Sequence, residues 1–378
     1  MKAKTKAIFF IGFLFIDFTK LIILKLVLKL KYNSMLHFDS DYMAGAHPRI
    51  IERLAATNLE MTPGYGTDRY TENACALLAD ATGNHLSAVH LLMGGTQTNA
   101  TVIGAMLRGP EAVISPDTGH ISVHEAGAIE ATGHKVLTIP AKEGKITADQ
   151  IEHYMTDFNA DDTWEHMSIP AMVYISYPTE YGTVYSLKEL EAISDVCRRF
   201  SLKLYLDGAR LAYGLACNGC DVTIKDLGRL CDAFYVGGTK AGTLFGEAVV
   251  IKHRDYAPHF FTHIKRSGAL LAKGRLLGLQ FETMFADGFK LYLECGRTGV
   301  ERAMELCAAF ESKGYKPAID SPTNQQFFTL PNTVIDEIAK SATFEYWGPR
   351  GKESSTVRFV TSWATTEEAV TQLVALIP

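Results

Sequence analysis

The chain has 378 residues, 47% hydrophobic and 21% charged, with a net charge of −5. That composition suits a folded protein with a large core and excludes a disordered or fibrous chain. Beyond the N-terminus there is no Lys/Arg block, so nucleic acid is not an expected partner. Seven scattered cysteines, an odd number, fit reduced thiols in the cytoplasm better than a disulfide framework.

Residues 1–34 stand apart, with seven lysines against one aspartate, so residues 35–378 alone carry −11. "KAKTKAIFFIGFLFIDFTKLIILKLVLKLK" opens like a signal peptide, but no small-x-small cleavage site follows. As a membrane span it is poor, since Asp17, Lys20 and Lys25 would each cost roughly 2.5–3.5 kcal/mol near the bilayer centre. Three readings stay open: translation starting at Met35, a basic helix on a membrane surface, or a targeting segment. Membrane association is expected only if this segment is genuine.

From residue 85 onward, apolar runs alternate with helical stretches. "HLLMGG", "EAVISPD", "HKVLTIPA", "PAMVYISYP", "LKLYLDGA", "DAFYVGG" and "GEAVVIK" read as strands. Several are continuous rather than alternating, as expected of strands buried on both faces. Helices are expected at about 97–108, 120–132, 147–157, 186–200 and 223–230. This alternation predicts an α/β fold with a mostly parallel seven-stranded sheet. "GEAVVIK" follows "DAFYVGG" too closely for a crossover helix, so it is expected to enter antiparallel. After about residue 255 helical pattern dominates through 313. Short strands follow ("FFTLP", "FEYWG", "TVRFVTSW"), then a closing helix, "TEEAVTQLVALI". The expected organisation is an extension at 1–34, a large domain at 35–280 and a smaller C-terminal α/β domain at 281–378, with a cleft between the two domains.

Three strand ends carry candidate chemistry. In "FYVGGTKAGTLFGEAVVI", Lys240 follows a strand, and Gly237, Gly238 and Gly242 are expected to clear space around it. A desolvated lysine bonds aldehydes covalently; a solvated strand end is the plainer reading. In "LYLDGARLAYG", Asp207 ends a buried strand, where a carboxylate needs a cationic partner. It either caps the next helix or holds a pyridine nitrogen protonated, as pyridoxal phosphate requires. In "MGGTQTNAT", Gly95, Thr96 and Gln97 open a helix whose free N–H groups suit a phosphate, although an ordinary turn would look the same. "CNGC" (Cys217–Cys220) has no further metal ligands at suitable spacing, and reads as reduced thiols.

Taken together, these segments resemble the threonine aldolase/β-eliminating lyase group of fold-type I pyridoxal-phosphate enzymes. "GHISVHEAGAIEATGHKV", "YLDGARLAYG", "VGGTKAGTLFGEAVVI", "SGALLAKGRLLGLQFE" and "VRFVTSWAT" occur in that group's order, over roughly 37–378. The resemblance implies pyridoxal 5′-phosphate bonded to Lys240, with Asp207 as ring-nitrogen partner and His120 stacked on the ring. It implies Glu125 near the reacting centre or orienting a water. Arg210, Arg358 and Ser40 would contact the substrate carboxylate, Arg210 also the ring hydroxyl. Tyr65 would approach the site, from a neighbouring subunit of a homodimer or homotetramer. The pair His120 and His124 lacks a third metal ligand, and no metal is expected. Bacterial threonine aldolases carry a histidine in "THNRSGG" against the substrate hydroxyl. The corresponding stretch here is "YISYPTEYGTVYSL", which puts Tyr177 or a neighbour in that role and leaves the base open. The implied activity is cleavage of a β-hydroxy-α-amino acid to glycine and an aldehyde. The alternatives are β-elimination from an aromatic or sulfur amino acid, giving pyruvate and ammonia, and a non-catalytic cofactor-binding protein.

Overall fold

The computed structural model describes residues 35–378, and the expectations for 1–34 lie outside the described residues. The central sheet has seven strands: β1 (Ala88–Leu92), β2 (Glu111–Pro116), β3 (Val136–Ile139), β4 (Ile169–Ser176), β5 (Lys203–Asp207), β6 (Ala233–Gly237) and β7 (Glu247–Ile251). Their order across the sheet is β1-β7-β6-β5-β4-β2-β3. Only β7 runs against its neighbours, β1 and β6, because the nine residues between Gly237 and Glu247 cannot hold a crossover helix.

The apolar runs are continuous because both faces of the sheet are covered. Val173, Ile175, Leu204, Leu206, Phe234 and Val236 face one core. Met172, Tyr174, Tyr205, Ala233 and Tyr235 alternate with them and face the other, against Val102 and Ile103 of helix α1 (Gly95–Met106). The alternation decides which side chains reach the carboxyl ends of the strands on the α1 side. Crossover helices start where Thr147, Ser186 and Thr223 form capping boxes with Gln150, Glu189 and Asp226.

One expected helix is much shorter than the spacing predicts. The segment 120–132 is helical only over His120–Val123, helix α2, with a 3₁₀ turn at Glu130–Thr132. Ala126 (φ 52°) and Gly127 (φ 74°) are left-handed, a conformation an α-helix cannot propagate. That break returns Glu125 beneath His120.

The C-terminal region holds a three-stranded antiparallel sheet of β8 (Gln325–Pro331), β9 (Glu345–Tyr346) and β10 (Ser354–Val360), ordered β9-β10-β8. Its core gathers Phe310, Phe328, Phe359 and Leu373, and also Phe38 from the opposite end of the chain. Leu36–His37 pair in parallel with Ala342–Thr343. This pairing carries the arm that follows, with Ser40, Asp41 and Tyr42, across to the carboxyl edge of the large sheet. Among the described residues no helix is long and apolar enough to cross a membrane.

Candidate active site

The carboxyl ends of β1, β4, β5 and β6 and the amino end of β7 meet at one cleft of about 240 Å³, lined by Gly95, His120, Glu180, Asp207 and Lys240 among others. It is continuous with a second hollow of about 230 Å³, lined by Tyr42, Glu345, Trp347 and Arg358. His120, Glu180, Arg210 and Lys240 belong to both.

Asp207 forms the floor. The register aligns it with Ser176 of β4, and it is 4% exposed. Its Oδ1 accepts from the Tyr235 hydroxyl at 2.5 Å and the Ala209 N–H at 3.0 Å; Oδ2 accepts from the Tyr174 hydroxyl at 2.7 Å and Asn99 Nδ2 at 3.0 Å. Burial pushes this carboxyl up, but the His120 charge and the bonds from Tyr235, Asn99 and the Ala209 N–H outweigh it and hold Asp207 below its ordinary value. It stays ionised, ready for a cation.

Lys240 follows β6 in a turn. Burial, then the Arg210 charge, press its ammonium below the ordinary lysine value, while Asp41, Asp207 and Glu247 pull the other way. A lysine so lowered is the kind that attacks carbonyls. The glycines around it serve a different end from the one expected. A Cβ on Gly237 would lie 2.4 Å from the Ala209 carbonyl oxygen and 2.6 Å from that of Gly208. Gly242 has φ +105°. They bring the lysine turn against the backbone beside Asp207, rather than opening room around the side chain.

His120 stands over the same cleft, with Nδ1 2.8 Å from Glu125 Oε1. Burial pushes the imidazole down, yet the Glu125 bond and the Asp207 charge raise it overall. Glu125 does not reach the cleft, which corrects its expected place beside the reacting centre. It is buried between His120 and Asn99 Nδ2 (2.7 Å) and orients both. At α1, Gly95 and Thr96 line the cleft as expected, but the Gln97 side chain turns away to the Ser267 carbonyl at 3.4 Å. Its contribution there is confined to the backbone N–H.

Tyr177 is a second correction. It continues the alternation of Val173 and Ile175, so it points into the opposite core, fully buried, with its hydroxyl 3.3 Å from Cys220 Sγ. Burial raises the phenol far above its ordinary value, which disqualifies it as a base at neutral pH. From the same stretch Ser176, Pro178 and Glu180 line the cleft instead.

Arg210 lines both hollows, but its Nε and Nη2 are bound to Asp41 at 2.7 and 3.1 Å. Asp41 is 1% exposed and also accepts from Asn324 Nδ2 at 3.0 Å. Its neighbour Ser40 has a buried Oγ without a hydrogen-bond partner and lines neither hollow. On β10, Arg358 donates Nη1 to Gln325 Oε1 at 2.7 Å, pairs through Nη2 with Glu345, and lies over the Trp347 ring at 5.0 Å. Tyr65, in a left-handed turn (φ 60°) under Lys265, is half exposed and lines another hollow, so it does not reach the cleft of its own protomer.

Sequence reasoning missed Asn99, Tyr174 and Tyr235 on the floor, Asp41 on the arm, and the acids Glu180, Glu247 and Glu345. For Tyr174 and Tyr235 a signal existed: strand alternation puts them on the Asp207 face.

A family model described as β-eliminating lyase matches residues 37–309. The low specificity L-threonine aldolase of Pseudomonas aeruginosa is 28% identical over 339 residues, which cover 89% of this chain and 95% of that protein. Among solved structures, the threonine aldolase of Leishmania major is 41% identical, with a TM-score of 0.87 over 90% of this chain and 98% of its own. An aspartate aminotransferase double mutant of Thermus thermophilus, 13% identical, has a TM-score of 0.66 over 93% of each chain and speaks for the fold alone, that of fold-type I pyridoxal-phosphate enzymes. The family match runs through every strand end that frames the cleft, and the chain belongs to the β-eliminating lyase family.

Proposed function

We propose that this chain cleaves β-hydroxy-α-amino acids of the L-threonine type to glycine and an aldehyde, with pyridoxal 5′-phosphate as cofactor. The observation that carries the reading is one cleft holding Lys240, Asp207 and His120 and opening onto Arg358, in a chain 41% identical to a threonine aldolase. The side chains fit that cofactor. Asp207 is an ionised buried carboxylate, Lys240 is a lowered lysine, and the start of α1 is open, a Cβ on Gly94 meeting nothing within 4 Å. Bound there, pyridoxal phosphate supplies an electron sink for the pair released at the amino acid's Cα.

The residues divide the remaining work. Lys240 would hold the cofactor and exchange it with substrate. The first N–H groups of α1, from Gly95, Thr96 and Gln97, would take the phosphate. Asp207 would keep a positive charge on the ring nitrogen, and His120, tied to Glu125, lines the same cleft and would be the residue to pack against the ring. Arg358 would present a planar fork to the substrate carboxylate and so fix the substrate's orientation in the cleft. Arg210, braced by Asp41, adds positive charge between the two hollows. Ser40, which lines neither hollow, would contact the carboxylate only if the arm moved. Tyr65 would complete a neighbour's cleft, so the working unit is a homodimer or a pair of them. Seven free cysteines suit the reducing cytoplasm.

Product analysis tests the reading. Purified protein with L-threonine and L-allo-threonine should yield glycine and acetaldehyde in equal amounts. Pyruvate and ammonia from aromatic or sulfur amino acids, without glycine, would transfer the reading to β-elimination.

A further inference from the structure

The cleavage reaction needs a base for the substrate's β-hydroxyl, and we propose that Glu180 is that base. The inference rests on the threonine-type activity proposed above.

Three buried carboxylates line the cleft, and their hydrogen bonds separate them. Asp207 has donors on both oxygens. Glu247 accepts from the Gly238 N–H at 3.2 Å and the Thr239 hydroxyl at 2.8 Å, one on each oxygen. Glu180 concentrates its donors on Oε1, from the Ser176 hydroxyl at 2.6 Å and the His120 N–H at 3.0 Å. Its Oε2 is buried and has no partner among the described residues. A buried carboxylate oxygen without a donor is costly, and a carboxylate that lines a ligand site with one oxygen left unpaired is the place to expect a proton-carrying group. Glu180 also lines both hollows, between the lysine that holds the cofactor and the arginine that faces the carboxylate.

The surroundings suit proton transfer. Burial pushes the Glu180 carboxyl above its ordinary value, the Asp207 charge adds to this, and the Ser176 bond and His120 charge oppose it. From α2 and the residue that ends it, it shares the hollows with His120 and His124; from the ends of β5 and β6, with Asp207, Arg210 and Lys240; from β7, with Glu247; from the arm, with Tyr42; and from the C-terminal sheet, with Arg358 and Glu345. Tyr174, buried and bonded to Asp207, is raised too high to compete. His120 competes poorly, because its imidazole is raised and committed to Glu125.

The step balances without a further reactant. The hydroxyl O–H bond breaks and its proton passes to Glu180. The freed oxygen pair forms the aldehyde carbonyl as the Cα–Cβ bond breaks. That bond's pair stays at Cα, which takes up one proton to become glycine.

Glu180→Gln separates this role from a structural one, since the amide oxygen can still accept from Ser176 and His120. With the holoenzyme, threonine cleavage should fall by roughly 10²- to 10⁴-fold, the usual worth of a general base. Exchange of the glycine α-proton in D₂O, followed by ¹H NMR, uses no hydroxyl base and should stay within about threefold. Affinity of the cofactor-free protein for pyridoxal phosphate, read by fluorescence quenching, should not change. Wild-type kcat/KM should rise with pH across a limb lying above the ordinary carboxylate range, and the residual activity of the variant should lack that limb. The proposal is overturned if the variant cleaves threonine within about threefold of wild type, or if α-proton exchange and cofactor affinity fall along with cleavage. If wild-type protein makes no glycine from threonine, the activity reading itself fails, and the Glu180 proposal with it.

Discussion

At the floor of the cleft Asp207 collects four donors and is 4% exposed; at the rim Arg358 lies against Glu345, whose side chain is half exposed. Under the proposed function both would meet a ligand of opposite charge. The floor is built before the ligand arrives: two tyrosines, an asparagine and a backbone N–H fix the carboxylate, at no further cost on binding. The rim holds its charge with a carboxylate from the same chain, standing where a substrate carboxylate would bind. A floor of this kind favours one permanent occupant, whereas a rim of this kind suits an occupant that comes and goes.

The largest effect should come from breaking the floor. Asp207→Asn removes the buried charge and turns one of its two oxygens into a donor, so one of the two tyrosine hydroxyls loses its acceptor. Losing one member of a buried charge pair costs about 3–5 kcal/mol, so kcat should drop by roughly 150- to 5,000-fold. Weaker cofactor binding should accompany it, measured by absorbance titration of the cofactor-free protein. A variant with near-normal turnover would show that the floor does not carry the ring's charge.

Next in size is the rim's arginine. Arg358→Lys keeps the charge and loses the fork. Charge-assisted bonds are worth about 1.5–3 kcal/mol, so kcat/KM for threonine should fall by roughly 10- to 150-fold. The cofactor's absorbance should hold, because Arg358 lies in the outer hollow with Trp347 and Glu345. An unchanged kcat/KM would place the carboxylate on Arg210 instead.

A smaller change tests how redundant the floor is. Tyr235→Phe takes one of four donors from Asp207 and should cost about 1.5 kcal/mol, roughly tenfold in kcat/KM. Because the Tyr235 bond lowers the Asp207 pKa, its loss raises that pKa. Asp207 must be ionised to act, so the acid limb of the kcat/KM profile should move to higher pH. A limb that stays put while activity falls would assign Tyr235 to packing against Gly95, where a Cβ would come 3.2 Å from its hydroxyl.

The floor and the rim were unequally legible in the sequence. Lys240, Asp207, His120 and the glycines of α1 sit in short segments at strand ends, so local sequence already tells their place. The seven strands and the antiparallel entry of β7 followed from run lengths and one short gap. The partners of Asp207 did not: Tyr174 and Asn99 come from 33 and 108 residues away, and only sheet register joins them. Arg210 and Asp41 are 169 residues apart, joined because the arm pairs with the C-terminal strands. Tyr177 shows what alternation alone could have settled. Counting by twos from Tyr174 leads to Ser176 on the cleft side and sends Tyr177, the next residue, toward the opposite core; the turn after the strand then brings Pro178 and Glu180 to the cleft. Motif resemblance located the stretch; the period of the strand separates Ser176 from Tyr177, and only the fold of the turn places Glu180.

The smallest predicted effect is the one specific to the rim. Glu345 pairs with Arg358 across neighbouring strands β9 and β10, in register. With Glu345 half exposed, the pair belongs with surface salt bridges, worth about 0.2–1 kcal/mol. A substrate carboxylate must displace it to use the fork, so the pair subtracts that much from binding. Glu345→Gln removes the competing charge but keeps a side chain of the same size. KM for threonine should therefore fall by roughly 1.5- to 5-fold with kcat unchanged. The difference should shrink with added salt, which weakens an exposed pair first. The floor offers no such variant: removing any donor from Asp207 costs activity, since nothing there competes with the ligand. Should Glu345→Gln instead raise KM, Glu345 positions Arg358 rather than blocking it, and the rim would be prearranged in the same sense as the floor.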